Sequence, residues 1–231
     1  MKTGFGSTNI LLPKASEYEK WAVIACDQFT SDQNYWNRVS AFVGNAPSTL
    51  NLVIPEIYLE ENTAERIQGI EKAMDAYFAE GRFTEYENAF IYVERTLLNG
   101  MIRPGIVGAV DLEQYHYDPA KKPSVGATEQ TIMSRVPPRI AVRRKAALEF
   151  SHVILFCSDF EHRVVKPIAD KKNLLPLLYD FDLMEDGGQL EGYDLKGEKV
   201  YTVADALKSL KLFKGYGYNK PIEIFEGITV N

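Results

Sequence analysis

The sequence predicts an α/β or α+β fold in which a mixed β-sheet packs with helices, and three observations lead there. Short apolar runs such as Ala89-Phe90-Ile91-Tyr92-Val93 have the length and β-branched or aromatic content of buried strands. Two longer segments repeat their apolar residues at helical spacing between start and stop signals. Between these, Asn99-Gly100 and Pro104-Gly105 mark a chain reversal, so neighbouring strands pair antiparallel. Alternation of the two element types favours layered α and β structure over a helical bundle.

The elements follow in order. Trp21-Ala22-Val23-Ile24-Ala25-Cys26 is read as a buried strand. Thr30 and Gln33 have capping-box spacing, after which Tyr35, Trp36, Val39, Phe42 and Val43 form one helix face that Gly44 ends. Leu50 to Ile54 is read as a strand stopped by Pro55. Asn62 and Glu65 then open a second helix, with Ile67, Ile70, Met74, Tyr77 and Phe78 on one side and Gly81 after its last turn. Ala89–Val93 and Ile106–Val110 are the hairpin strands, and Val153–Cys157 returns to a buried-strand pattern. Asp186-Gly187-Gly188 marks a turn, and Ala204 to Phe213 carries a short helical repeat. One globular domain over residues 1–213 is expected, with 214–231 as a weakly organised C-terminal extension.

Composition narrows the function classes. At 231 residues and 45% hydrophobic content the chain can bury a substantial core. A formal charge of −6 opposes wholesale wrapping of nucleic acid, and the Arg143-Arg144-Lys145 run reads as a solvated face. The two cysteines, Cys26 and Cys157, have neither zinc-ribbon nor CxxC spacing, which fits a reducing cytoplasm. Neither an export signal nor a membrane-length apolar run occurs in the sequence.

Polar chemistry concentrates in three places. Asp27-Gln28-Phe29-Thr30 stands at an expected strand-to-helix junction, where Asp27 and Gln28 can face a ligand or cap a turn. Cys26 reads as a structural cysteine rather than a nucleophile, because the sequence places no base beside it. In an extended segment Asp111 and Glu113 share one side, so they could form an oxygen site for Mg²⁺, or be a solvated strand exit. His116 is an acid/base group, a ligand or a packing residue, and neither His152 nor His162 belongs to an HExxH pattern.

The third place is Ala127 to Arg139, which gathers Thr128, Glu129, Arg135 and Arg139 around Pro137-Pro138. Guanidinium forks suit a carboxylate or phosphate, and proline fixes the backbone that aims them. Thr128 and Arg135 could bind an oxyanion while Glu129 acts as base or metal ligand; the rival use is a salt-bridged loop. These residues point to a small anionic ligand, with no nucleic-acid or membrane partner expected.

Leu11-Leu12-Pro13-Lys14, Lys20 through Ser31, Ala46-Pro47-Ser48-Thr49-Leu50 and Ala127 through Arg139 together resemble the bacterial and archaeal family known as domain of unknown function 1015. The resemblance spans most of residues 9–200. A His-Glu-x-Thr pattern of broader relatives corresponds to Ala127-Thr128-Glu129-Gln130-Thr131, where this chain has no histidine. Longer relatives carry a second-half element similar to one in free-serine kinases and ParB-like nucleotide-binding domains, and this chain does not contain it. The resemblance therefore implies an N-terminal portion whose partner is the missing C-terminal domain or another protein. It also implies, as the alternative to a small-molecule or anion-binding domain, a phosphotransferase module using Mg²⁺ and ATP or ADP on a small hydroxyl metabolite.

Overall fold

An antiparallel four-stranded sheet organises the chain. The computed structural model describes residues 4–14, 17–24, 31–59, 61–116, 118–121, 123, 125–126, 133, 136–149, 153–155, 159–195 and 228–230. In chain order the strands and α-helices are β1 (Phe5–Gly6), β2 (Thr8–Pro13), α1 (Tyr18–Trp21), α2 (Gln33–Val43), α3 (Thr63–Ala79), β3 (Phe83–Ala89), β4 (Ile91–Thr96), β5 (Ile102–Val107), β6 (Ala109–Val110), β7 (Tyr115–His116), β8 (Val125–Gly126), α4 (Val136–Arg143), β9 (Val153–Leu155), α5 (Val165–Ala169), β10 (Leu177–Asp182), β11 (Gln189–Asp194) and β12 (Ile228–Val230). The main sheet has the order β10-β11-β4-β5, every neighbour antiparallel. Two-stranded pairs β2-β3, β1-β6 and β12-β9 are antiparallel, and β7-β8 is parallel. The architecture is thus mixed α and β, as the periodicities imply. The main sheet is antiparallel throughout rather than mixed, and the parallel pairing is confined to β7-β8 among the described residues.

Side chains alternate across a strand, so the main sheet has two distinct faces. Tyr92, Ile106 and Tyr193 point to one, where Val164 and Val165 at the start of α5 pack with Phe5, Phe90 and Leu195. Ile91, Val93 and Val107 point to the other, where the β2-β3 ribbon covers them with Ile10, Leu12 and Tyr86. Beyond the ribbon, Trp21, Leu52 and the inward side of α3 (Ile70, Met74, Tyr77) form a further core with Phe83. A fourth core joins α2, through Tyr35, Trp36, Val39 and Val43, to Ile24 and Met184.

The two long helices fall where the spacing predicts. Gly44 and Gly81 follow them with φ of 56° and 63°. Their details differ from expectation. The carboxylate of Asp32 is the α2 cap, accepting from the N–H groups of Asn34 and Tyr35 at 2.9 and 3.1 Å; Thr30 lies outside the described residues. Phe42 and Phe78 are 46% and 42% exposed, on the shoulders of the inward faces rather than at their centres.

Two expected strands are not strands. Trp21 closes α1, whose turn is completed by the Ala22 N–H donating to Tyr18 O at 2.9 Å, and Ala22 to Ile24 continue without regular structure. Thr49–Leu52 forms a turn of 3₁₀-helix because the Ser48 hydroxyl accepts the Leu50 N–H at 3.1 Å, giving the backbone a local partner. The expected Ile106–Val110 strand divides: β5 ends at Val107, and β6 pairs with β1. The expected helix at 204–213 lies outside the described residues, and of 214–231 only β12 is described. No helix among the described residues is long and apolar enough to cross a membrane.

Candidate functional site

The β2-β3 ribbon, α1 and the neighbouring sheet face border a half-open cavity of about 490 Å³, within the range of small-molecule sites. Ile91, Val107, Tyr179, Phe181 and Leu190 line it from the sheet; Ile10, Leu12 and Phe83 line it from the ribbon. Tyr18, Trp21, Ala22 and Thr49 form another wall, and Ala147, Leu148 and Glu149 reach it from beyond α4. Apolar and aromatic side chains therefore dominate, with polar groups restricted to a few positions.

Those aromatic walls hold one another in place. The Tyr18 ring stacks on Phe181 with centroids 5.5 Å apart and lies 6.0 Å from Tyr179. Trp21 meets Tyr77 and Phe83 edge-on at 5.3 and 5.8 Å. The Tyr18 hydroxyl donates to Pro13 O at 3.2 Å, tying α1 to the end of β2. Thr49 Oγ1 donates to Trp21 O at 2.7 Å and receives the Val23 N–H at 3.4 Å, so the irregular stretch after α1 is anchored. Burial, helped by Tyr86 in the case of Tyr18 and by Tyr18 in the case of Tyr179, pushes both hydroxyls above the usual tyrosine range.

The polar positions are acidic or neutral. Glu85 is an exposed side chain on β3, opposite Leu11, and its Oε1 accepts from Asn9 Nδ2 at 2.9 Å. Among the described residues no cation pairs with it. Glu149 differs, since Arg143 Nε lies 2.6 Å from its Oε1.

A second polar constellation lies on the opposite face of the sheet. Glu94 of β4 and Glu191 of β11 are cross-strand partners, as are Tyr92 and Tyr193 one step along. Lys172 donates to Glu94 Oε2 and, at 2.9 Å, to Glu191 Oε2. Tyr92 donates to Glu94 Oε1 at 2.5 Å and Tyr193 to Glu191 Oε1 at 2.7 Å. Burial acts to raise the Glu191 carboxyl, but the hydrogen bonds from Lys172 and Tyr193 prevail and hold it below its ordinary value. Burial likewise acts to lower Lys172, and the two carboxylates outweigh it, holding the ammonium well above the usual lysine range. Burial and the bond to Glu191 push Tyr193 up to about 12. A lysine held this firmly in its charged form is a poor nucleophile or base, so the constellation is a tie across the sheet rather than a reactive set.

The residues singled out in the sequence are placed unevenly. Asp27, Gln28, Thr128, Glu129 and Arg135 lie outside the described residues, as do Cys26 and Cys157. Arg139 is exposed on α4, one turn before the Arg143 that pairs with Glu149 at the cavity. Asp111 and Glu113 are both exposed, and they are not in the extended segment expected: Asp111 caps a 3₁₀ turn over Leu112–Gln114 by accepting the Glu113 N–H at 3.1 Å. His116 Nδ1 accepts the Asp118 N–H at 2.9 Å. Among the described residues no group of three or more His, Cys, Asp or Glu is arranged to hold a metal ion. The cavity was missed because its lining comes from segments far apart in the chain. One clue was available: Trp21, Ala22 and Thr49 all fall inside the blocks that carry the family resemblance.

Residues 10–214 match the family described as Protein of unknown function (DUF1015). The chain belongs to that family. The match takes in the main sheet, α1, β3 and β2 from Ile10 onward, and hence all of the cavity wall except Thr8 and Asn9. No curated protein and no solved structure matches the chain.

Proposed function

We propose that this DUF1015 chain is a small-molecule-binding domain whose ligand enters the cavity between the β2-β3 ribbon, α1 and the main sheet. The observation that carries this reading is an aromatic-walled space of about 490 Å³. The space is a half-open cleft, and clefts of this volume are the usual setting of small-molecule sites. Aromatic walls with a few polar groups are what small-molecule sites use to combine affinity with orientation. The expectation of an anion held by Arg135 and Arg139 has less support, since Arg139 is exposed and the charged residues reaching the cavity are carboxylates.

Trp21 supplies the test. It lines the cavity, whereas the chain's other tryptophan, Trp36, is buried in the α2 core. In a Trp36→Phe background, titration with the neutral probe 2-phenylethanol is expected to shift Trp21 emission saturably. Ala22→Phe, which projects a ring into the cavity while keeping the backbone bond to Tyr18, is expected to abolish the shift. An unsaturable response, or one that Ala22→Phe leaves intact, would refute the reading.

A further inference from the structure

We propose, on the basis of that cavity reading, that the ligand is an organic monocation: a protonated amine joined to an apolar or aromatic body. Two independent features of the cavity converge on this. The first is its charge. Glu85 contributes a carboxylate that Asn9 orients by a 2.9 Å hydrogen bond, without a cationic partner among the described residues. Glu149 is the second carboxylate in the wall, already matched to Arg143. Hence the net charge contributed by these groups is that of a single carboxylate.

The second feature is the aromatic wall. Ring faces carry negative quadrupole charge and attract ammonium groups, an attraction that strengthens where water is excluded. Tyr18, Trp21, Tyr179 and Phe181 all contribute to the lining. The two tyrosines are uncharged at neutral pH, and burial moves them further from ionising, so they offer π-faces and hydroxyls without negative charge. Phe83 shares the Glu85 face of β3 and Trp21 packs on it at 5.8 Å, so an ammonium beside Trp21, Phe83 and Glu85 would gain from both, while its hydrocarbon part would follow Leu11 and Pro13 along β2. An anion of the same shape would meet the same groups as repulsion.

A series of probes with one ring and different charges tests the inference in the intact Trp36→Phe chain. Phenethylamine, 2-phenylethanol and 3-phenylpropanoate are titrated at neutral pH and low salt against Trp21 emission. The amine is expected to bind about tenfold more tightly than the alcohol, with the carboxylate weakest. Added salt should reduce that preference, since the mouth is exposed and screened. Glu85→Gln should cut the amine-to-alcohol ratio by about threefold or more. Glu87→Gln, an exposed change on the same strand and outside the lining, should keep the ratio. Equal affinity for the three probes would overturn the cation assignment while leaving the cavity reading standing. Preference for the carboxylate would overturn it in favour of the arginine-anchored anion. Failure of all three to bind would overturn both readings.

Discussion

The ring of Tyr179 lies over Gly192, its partner across the β10-β11 pair. A Cβ at position 192 would stand 2.1 Å from Tyr179 Cζ, well inside contact distance. The aromatic ring thus fills the space that a side chain on the central strand would otherwise occupy, and it can do so only because that residue is glycine. Gly192→Ala is expected to displace the ring into the cavity and to destabilise the domain by about 1–3 kcal/mol. Combining it with Tyr179→Ala should recover part of the loss, because the two changes share one contact. Urea unfolding of the four proteins in that cycle measures the coupling; additive losses would show that ring and glycine do not depend on each other.

Lys172 holds two carboxylates that would otherwise face each other across β4 and β11. Replacing it with methionine leaves Glu94, with a side chain 6% exposed, beside Glu191 without their shared cation. Breaking a fully buried pair from one side costs about 3–5 kcal/mol, and less is expected here because the lysine side chain is 26% exposed. Adding Glu94→Gln to Lys172→Met should restore stability by removing one of the stranded charges. Thermal unfolding decides the point: a double variant no more stable than Lys172→Met alone would mean that the lysine acts by packing.

The same tie gives stability a pH dependence of known sign. The folded Glu191 carboxyl titrates below its ordinary value of 4.5, so its contribution is present above that value and is lost as pH falls through the lower, folded one. Tyr193 is raised to about 12, so its contribution is present below the usual phenol value and is lost as pH rises through about 12. Glu191→Gln should therefore flatten the acid limb of the stability profile, and Tyr193→Phe the alkaline limb. Denaturant midpoints across both ranges supply the measurement, and parallel profiles for variant and parent would contradict the assignment.

How much of this was legible in the sequence depends on the range over which each feature is encoded. The α2 and α3 cores were readable from Tyr35, Trp36, Val39 and Val43, and from Ile70, Met74 and Tyr77, because a helix sets its inward face within a few turns. The turn at Asp186-Gly187-Gly188 and the antiparallel β4-β5 pair were readable from local turn residues, although only Asn99-Gly100 lies in the reversal and Pro104-Gly105 falls inside β5. Short apolar runs failed. Trp21–Cys26 and Leu50–Ile54 carry strand-like residues, yet Trp21 ends a helical turn and Leu50 enters a 3₁₀ turn beside Ser48. Periodicity cannot separate these outcomes over so few residues.

The tie across the sheet was legible only in hindsight, and its signal is a mirror. Tyr92-Val93-Glu94 and Glu191-Gly192-Tyr193 are the same spacing in opposite directions, as antiparallel neighbours sharing one face require. Such a pattern becomes evidence only once β4 and β11 are known to pair. The cavity is less local still, since its wall draws on β2, α1, β3, the main sheet and the segment after α4.

Tyr77 connects α3 to the loop that positions the cavity wall, and removing its hydroxyl should be felt there. The phenol oxygen accepts the Ser48 N–H at 3.1 Å and Asn51 Nδ2 at 2.9 Å, and Ser48 is fully buried. In Tyr77→Phe the ring's packing on Trp21 and Phe83 is retained while the Ser48 N–H loses its acceptor in a place water does not reach. Leaving such a donor unsatisfied costs about 1–3 kcal/mol, which for a chain of this length corresponds to a fall in Tm of roughly 2–4 °C per kcal/mol. The next residue, Thr49, anchors the Trp21 carbonyl, so loosening Ser48 should also shift Trp21 emission in the Trp36→Phe background. A Tyr77→Phe protein with unchanged Tm and unchanged Trp21 emission would show that the hydroxyl has no part in holding the wall.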